Sequence, residues 1–538
     1  MSHRVARSVL FLTILAAAPS GAQTQGSVGG RSEVFAGSEL ERYLRVLQTV
    51  GAVPLYPWSS RSFSPTDLDA LLPLEGGHPW SERYDWVARH ASWTFDLVRP
   101  TIAWRFNSTF PYGWNDGPVW AGRGVTTAVQ AGFAVRHGPL SLTIAPVAFR
   151  SENDAFALLP NGAAGPLAYA NGVYPYEIDL PQRFGNQPYG TLDPGQSTLR
   201  VDTWGVAAGV STANEFWGPA IDFPFILGDN AAGFPHAFLG SAHPINLWGL
   251  RLHGRLVWGL LEQSAFSPET VAAGRRFMTG FVGVATLRWV PGLELGLSRF
   301  LHSVWPPGGP TLHDLLRVVR SQNSANQVNI ANDNQLASAF FRWVFPRRGV
   351  EVYGEYGRED YNQNLRDLLE EPDHIGGYSY LVGLRKVLWR PGARLISTRI
   401  EVQHAPTSVT PAGRQRPPVY IHSGEPAQGH TERGQLLGSA AGLGGAATVV
   451  ALDVYHPGGR WTVQVTRMLR QDAGDFPRSG QVNPRARDLQ HTLALERLAF
   501  RGRYDLLTRA EAVYELNRDF RRDAFNLNLV VGVRAGLR

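Results

Sequence analysis

STANEFWGPAIDFPFILGDNAAGFPHAFLGSAHPINLWGLRLH, residues 211–253, is the stretch around which the rest of the chain is arranged. It leaves one alternating segment, Leu199–Val210, and feeds another that begins at Trp248. Pro219, Pro224, Pro235 and Pro244 each remove a ladder donor, so a regular strand is not expected through it. Nor does it read as a solvated loop. Phe216, Trp217, Phe223, Phe225, Phe234 and Phe238 carry roughly 1.5–3 kcal/mol each if buried. The pattern predicts a long loop, 211–247, folded back onto its own scaffold as the plug or ligand floor of a β-barrel.

Outward from that loop the sequence changes rhythm. From Trp93 onward the period is two: Val125, Thr127, Val129, Ala131, Phe133 and Val135 share one face, with Thr126, Gln130 and Arg136 on the other. Similar segments recur to the end of the chain, on the order of 16–18 of them, many about 10 residues long, the length a tilted transmembrane strand needs. Tight joints such as Val290-Pro291-Gly292 and His456-Pro457-Gly458-Gly459 alternate with long polar connections at 151–198, 303–335, 357–377, 404–446 and 471–488. An antiparallel up-and-down outer-membrane barrel gives that alternation, with short turns at one end and long loops at the other. Trp104, Trp289, Trp343, Trp389 and Trp461 sit near strand ends, where an aromatic girdle lies.

Composition points the same way. Aromatics are 11%, charged residues 18%, and glycines number 58. A soluble protein averages about 25% charge and about 7% glycine. Arg4 and Arg7, the apolar run Val9–Ala18 and the small residues Ser20-Gly21-Ala22 read as a secretory signal peptide over 1–22. Residues 23–90 read as a separate helical segment at the periplasmic mouth. Ser38 with Glu41 starts one helix, Ser64-Pro65-Thr66-Asp67 a second, and Pro79–His90 a third. Residues 91–538 are the barrel. With no cysteine there is neither a disulfide staple nor a lipoprotein anchor. The charge of +6 is too mild to imply nucleic acid. Its carriers are almost all arginine, Lys386 being the only lysine, and arginine suits carboxylates and phosphates such as those of acidic sugars and lipopolysaccharide.

Catalytic signatures are absent: no G-x-S-x-G elbow, no H-E-x-x-H pair and no phosphate-cradling G-K-[ST]. His236, His243 and His253 follow no metal-ligand spacing, and neither a metal nor a cofactor is expected. Glu351 with Glu355, and Glu511 with Glu515, could imitate a glycosidase pair, but such pairs more often line a polar lumen matched by arginines such as Arg399 and Arg509. Glycan sites combine aromatic faces with amides and carboxylates. Asn214, Glu215, Phe216, Trp217, Asn230 and His236 supply that mixture and are the candidate polysaccharide-binding or plug residues.

The run N-E-F-W-G-P, followed by I-L-G-D-N-A and G-F-P (214–219, 226–231 and 233–235), resembles the signature of the Wzi-like capsule assembly proteins of Gram-negative outer membranes. The resemblance implies a barrel of about eighteen antiparallel strands, a small periplasmic helical bundle and a lumen closed by folded loops. It also implies a non-enzymatic role, binding or anchoring exported capsular polysaccharide at the cell surface. Outer-membrane lipid, lipopolysaccharide and the polysaccharide are the expected partners, and a monomer is the expected state. The alternative is a channel for diffusion or export of polysaccharide or small solutes.

Overall fold

The computed structural model describes residues 31–73, 77–84, 92–269, 274–319, 333–359, 378–390, 394–405, 418–422, 426–472 and 487–536. The expected signal peptide, 1–22, lies outside the described residues.

The period-two segments after Trp93 form one closed antiparallel wall of 18 strands, within the expected range. Three wall strands are each broken in two: Leu140–Ile144 with Val147–Ser151, Tyr189–Asp193 with Thr198–Thr203, and His236–Ser241 with Ile245–Leu247. Pro146, Pro194 and Pro244 lie in the breaks, where a missing N–H costs no ladder bond. Closure is made by the first and last strands, Trp93–Asn107 and Arg522–Ala535, in a register that runs from Thr101↔Arg534 to Asn107↔Asn528. Pro100 is accommodated at a register shift between Val98 and Thr101. There Arg99 grips Glu33, its Nε at 2.7 Å.

Side chains alternate across the wall. On Tyr378–Arg390, Leu381, Gly383, Arg385 and Val387 point into the lumen while Tyr380, Val382, Leu384 and Leu388 face out. The outward set is leucine, valine and aromatic around the barrel; the inward set is rich in Arg, Glu, Gln and Ser. That inversion suits a wall with lipid outside. Trp93, Trp204, Trp248, Trp289, Trp343, Trp461 and Tyr504 stand exposed near the short-turn end, and Trp104, Tyr356, Tyr380, Tyr514 and Phe525 toward the opposite end. Two girdles result. Trp389 departs from the expectation: its ring packs into the cluster formed by the N-terminal block.

The insert is shorter than expected. His236–Ser241 and Ile245–Leu247 keep their donors and join the wall, so the irregular part ends at Pro235. Trp248 does not begin a strand but sits at the tip of a hairpin with φ 45°. The connection 151–198 likewise contains the wall piece Tyr189–Asp193. At the loop end, Arg518–Arg522 is a tight turn among otherwise long connections.

The core lies inside the wall. From the turn end, helices α1 (Glu39–Thr49) and α2 (Pro65–Ala70), with the non-helical segments beside them, pack Tyr43, Leu47, Trp58 and Trp80 against inward Val387, Leu395, Tyr455 and Leu498. Ser38 caps α1 by accepting from the Glu41 N–H at 3.2 Å, while the Glu41 carboxylate accepts from Trp58 Nε1. Ser64 and Asp67 close a capping box on α2. Pro79–Tyr84 forms turns, and the rest of the third expected helix lies outside the described residues. From the loop end, residues 212–235 descend and meet this block through an antiparallel bridge between Ser60 and Trp217.

Candidate functional site

Proline has spent three of the insert's donors, Pro219, Pro224 and Pro235, and the wall and the N-terminal block satisfy others that are left. Glu401, inward on Arg394–His404, accepts the N–H groups of Ile221, Asp222 and Phe223 at 2.7, 2.9 and 2.8 Å, and the Tyr353 hydroxyl at 2.8 Å. Asp222 pairs with Arg399 through two bonds of 2.9 and 3.0 Å. On the N-terminal side, the Gly218 N–H donates to Ser59 O at 2.9 Å, and Arg45 donates to Pro219 O at 2.6 Å. Glycines admit the large rings: a Cβ at Gly280 would strike Trp217, and one at Gly357 would strike Phe225.

The six predicted residues are gathered in and around this insert, and three of them, Glu215, Trp217 and His236, contact one another. Glu215 accepts from Arg255 Nη1 at 2.5 Å, Trp217 Nε1 at 3.1 Å and Ser62 Oγ at 3.2 Å, with His236 Nε2 at 3.4 Å. Burial pushes its carboxyl up, but Arg255, His236 and Trp217 outweigh burial and hold it below the usual range. Asn214 ties the insert to itself, its Nδ2 donating to Gly228 O and Ala231 O at 3.0 and 2.9 Å. Phe216 stacks under Arg61, 3.8 Å from ring centre to guanidinium. Asn230 donates to Leu436 O at 3.0 Å and accepts from the Asn115 N–H at 3.3 Å. All but Asn230 are buried.

The paired glutamates part company. Glu351 is held by Arg342, Arg45 and Arg385 at 2.6, 2.7 and 3.2 Å, and Glu515 by Arg470 and Arg518 at 2.7 and 3.0 Å. Arg509 bridges Glu511 and Glu496, as expected of a matched lumen, whereas Arg399 serves Asp222 instead. Among the described residues, no group of three His, Asp or Glu is placed to hold a metal ion.

Two features escaped the sequence reading. Residues 418–422 and 426–443, taken as polar connection, also lie inside the wall: Tyr420 Oη donates to Phe225 O at 2.5 Å, His430 Nε2 meets Ile226 O at 2.6 Å, and Gly228 N–H donates to Leu437 O at 3.1 Å. Burial pushes the His430 imidazole down to about 4, so it is neutral there. The second is a cleft at the loop end. Tyr112, Trp114 and Trp120 line it together with Asn171, Gln182, Asn230, Gln435 and Gln490, and Arg470 and Arg518 stand at its wall. Tyr112 and Trp114 meet edge to face at 5.5 Å, and Trp120 braces on Phe184 at 5.1 Å. Aromatic faces, amides and guanidiniums together fit sugar rings, hydroxyls and acidic substituents. The signal was the cluster Y-G-W-N-D-G-P-V-W, 112–120, two tryptophans astride a turn. Of the six predicted residues only Asn230 lines this cleft.

No family model matches the sequence, and no curated protein matches it. Among solved structures, Wzi of Escherichia coli, an outer-membrane protein involved in group 1 capsule assembly and a carbohydrate-binding β-barrel, aligns over 94% of this chain and 99% of its own with a TM-score of 0.57. This chain has the fold of Wzi. Identity to Wzi is 13%. OccK5 (OpdH) and OprD of Pseudomonas aeruginosa each cover 83% of the chain, and 99% and 94% of their own, at 10% identity and TM-scores of 0.37 and 0.40. The wall, its outer belt and the likeness to Wzi make this an outer-membrane β-barrel.

Proposed function

We propose that this barrel is a non-enzymatic binder of exported surface polysaccharide, held in the outer membrane with its helical block facing the periplasm. The observation that carries the reading is the loop-end cleft, where Trp114 and Trp120 stand among amides and two arginines. The same reading gives Asn214, Glu215, Phe216, Trp217 and His236 a supporting role, as struts that brace the insert below the cleft, and leaves Asn230 in its lining. Wzi, the carbohydrate-binding barrel with the same fold, supports it by analogy. A diffusion channel is the rival. Three segments of the chain packed inside one wall speak against it, since Trp217, Phe225 and Tyr420 occupy space that a pore would leave to water.

Affinity on a polymer comes from many modest contacts, repeated along the chain of sugars. The test is biolayer interferometry of the full chain in nanodiscs against purified capsular and O-antigen polysaccharides, neutral and acidic. At least one polymer binds, and Trp114→Ala weakens it about tenfold, the scale of a lost aromatic stacking contact. Failure of every polymer to bind, or equal binding by Trp114→Ala and Trp120→Ala, overturns the proposal.

A further inference from the structure

A second cavity lies at the other end of the lumen, in the seam between the N-terminal block and the wall. Arg61, Arg136, Arg200 and Arg255 line it, against the carboxylates of Asp96 and Glu215. All four guanidiniums have a partner: Arg255 with Glu215 at 2.5 Å, Arg136 with Asp69 at 3.4 Å, Arg61 with the carbonyls of Trp58 and Ala220, and Arg200 with Asp202 at 2.6 Å. Arg200 is different. It is 4% exposed, its Nε donates to Asp202 at 2.6 Å, and its buried Nη2 donates to nothing in the chain. A buried guanidinium N–H group without an acceptor is costly to maintain even where the charge is paired, and a guanidinium fork is shaped for a planar or tetrahedral oxyanion. The lining also includes Phe63 and Leu68, an apolar surface that a bare ion would not use but the carbon face of a sugar ring would.

We propose that this seam binds the carboxylate or phosphate group of an acidic sugar, with Arg200 as its principal donor. The site goes beyond the polysaccharide reading and does not rest on it, because it shares no lining residue with the loop-end cleft. It places an acidic-sugar contact near the short turns, where the chain's own N-terminal block forms part of the binding surface.

Isothermal titration calorimetry of the full chain in detergent micelles tests it with glucuronate, glucose 1-phosphate and glucose as probes. One or both acidic sugars bind and glucose does not; which of the two binds assigns the carboxylate or the phosphate. Arg200→Gln weakens binding tenfold or more, at the scale of a lost charge-assisted bond, roughly. Added salt weakens it further. Retention of the heat-modifiable mobility of a folded barrel is the control. Should Arg200→Gln fail to fold, Arg136→Gln carries the test, because its side chain is 33% exposed and tolerates exchange; it weakens binding too. The proposal is overturned if neither acidic sugar binds the unaltered chain, or if the folded variants bind as it does. Such a failure leaves polymer binding at the Trp114 cleft untouched, so the two readings fall separately.

Discussion

Glu401 does more for the insert than any single hydrophobic contact, because three successive N–H groups and the Tyr353 hydroxyl converge on one carboxylate. Removing it strands four buried donors at once. Glu401→Ala is expected to cost about 3–5 kcal/mol, the range for breaking a buried charged network, read by guanidinium unfolding in micelles; a loss within 0.5 kcal/mol, roughly the size of a surface exchange, would contradict this assignment. Asp229 tests the opposite sign. It is buried against Gly37 with one carboxylate oxygen unpartnered, and burial pushes its carboxyl up to about 7 despite Arg42 and Arg61 nearby. A raised acid contributes stability that is complete below its unfolded value, near 4 or so, and is lost as pH rises through about 7. Asp229→Asn removes that loss, so the variant gains on the unaltered chain between pH 4 and pH 8, roughly, with no gain below that window. Parallel unfolding curves for the two proteins across that range would refute the burial account.

The insert is the element on which sequence and structure can be compared most closely. Its aromatic load and its prolines announced a packed, irregular segment, and 212–235 is one. Its end was misread because Pro235 and Pro244 look alike in sequence, yet one closes the irregular stretch and the other merely interrupts a strand. Period two is a local property and was legible wherever a strand ran unbroken. What Trp217 touches depends on Gly280, across the lumen wall, and no local pattern encodes that contact. The cleft was hidden for the same reason: Trp114, Asn230 and Gln490 come from three distant parts of the chain and meet only once the wall has closed. Ser211 and His236 are paired neighbours across the base of the insert, so a short turn can replace 213–234 without moving the wall. That variant is expected to retain heat-modifiable barrel mobility while unfolding at a lower temperature. Failure to form a barrel at all would show the wall to depend on its contents.

At the scale of the whole molecule, the polarity of the barrel is inverted relative to a soluble protein, with Arg342, Glu351 and Arg385 inside and leucines outside. Leu297 is 61% exposed on the outer face of Leu293–Val304. Leu297→Arg is therefore expected to destabilise the protein in lipid vesicles by about 2–4 kcal/mol, as a charge near the bilayer midplane does. An unchanged urea midpoint would place that face in water. A lumen filled by the chain itself is what separates a binding platform from a pore. Single-channel recording in planar bilayers measures this directly. The unaltered chain is predicted to show no sustained current, and the variant lacking 213–234 to show stepwise openings; a steady, ohmic conductance from the unaltered chain, unchanged on removing the insert, would contradict it.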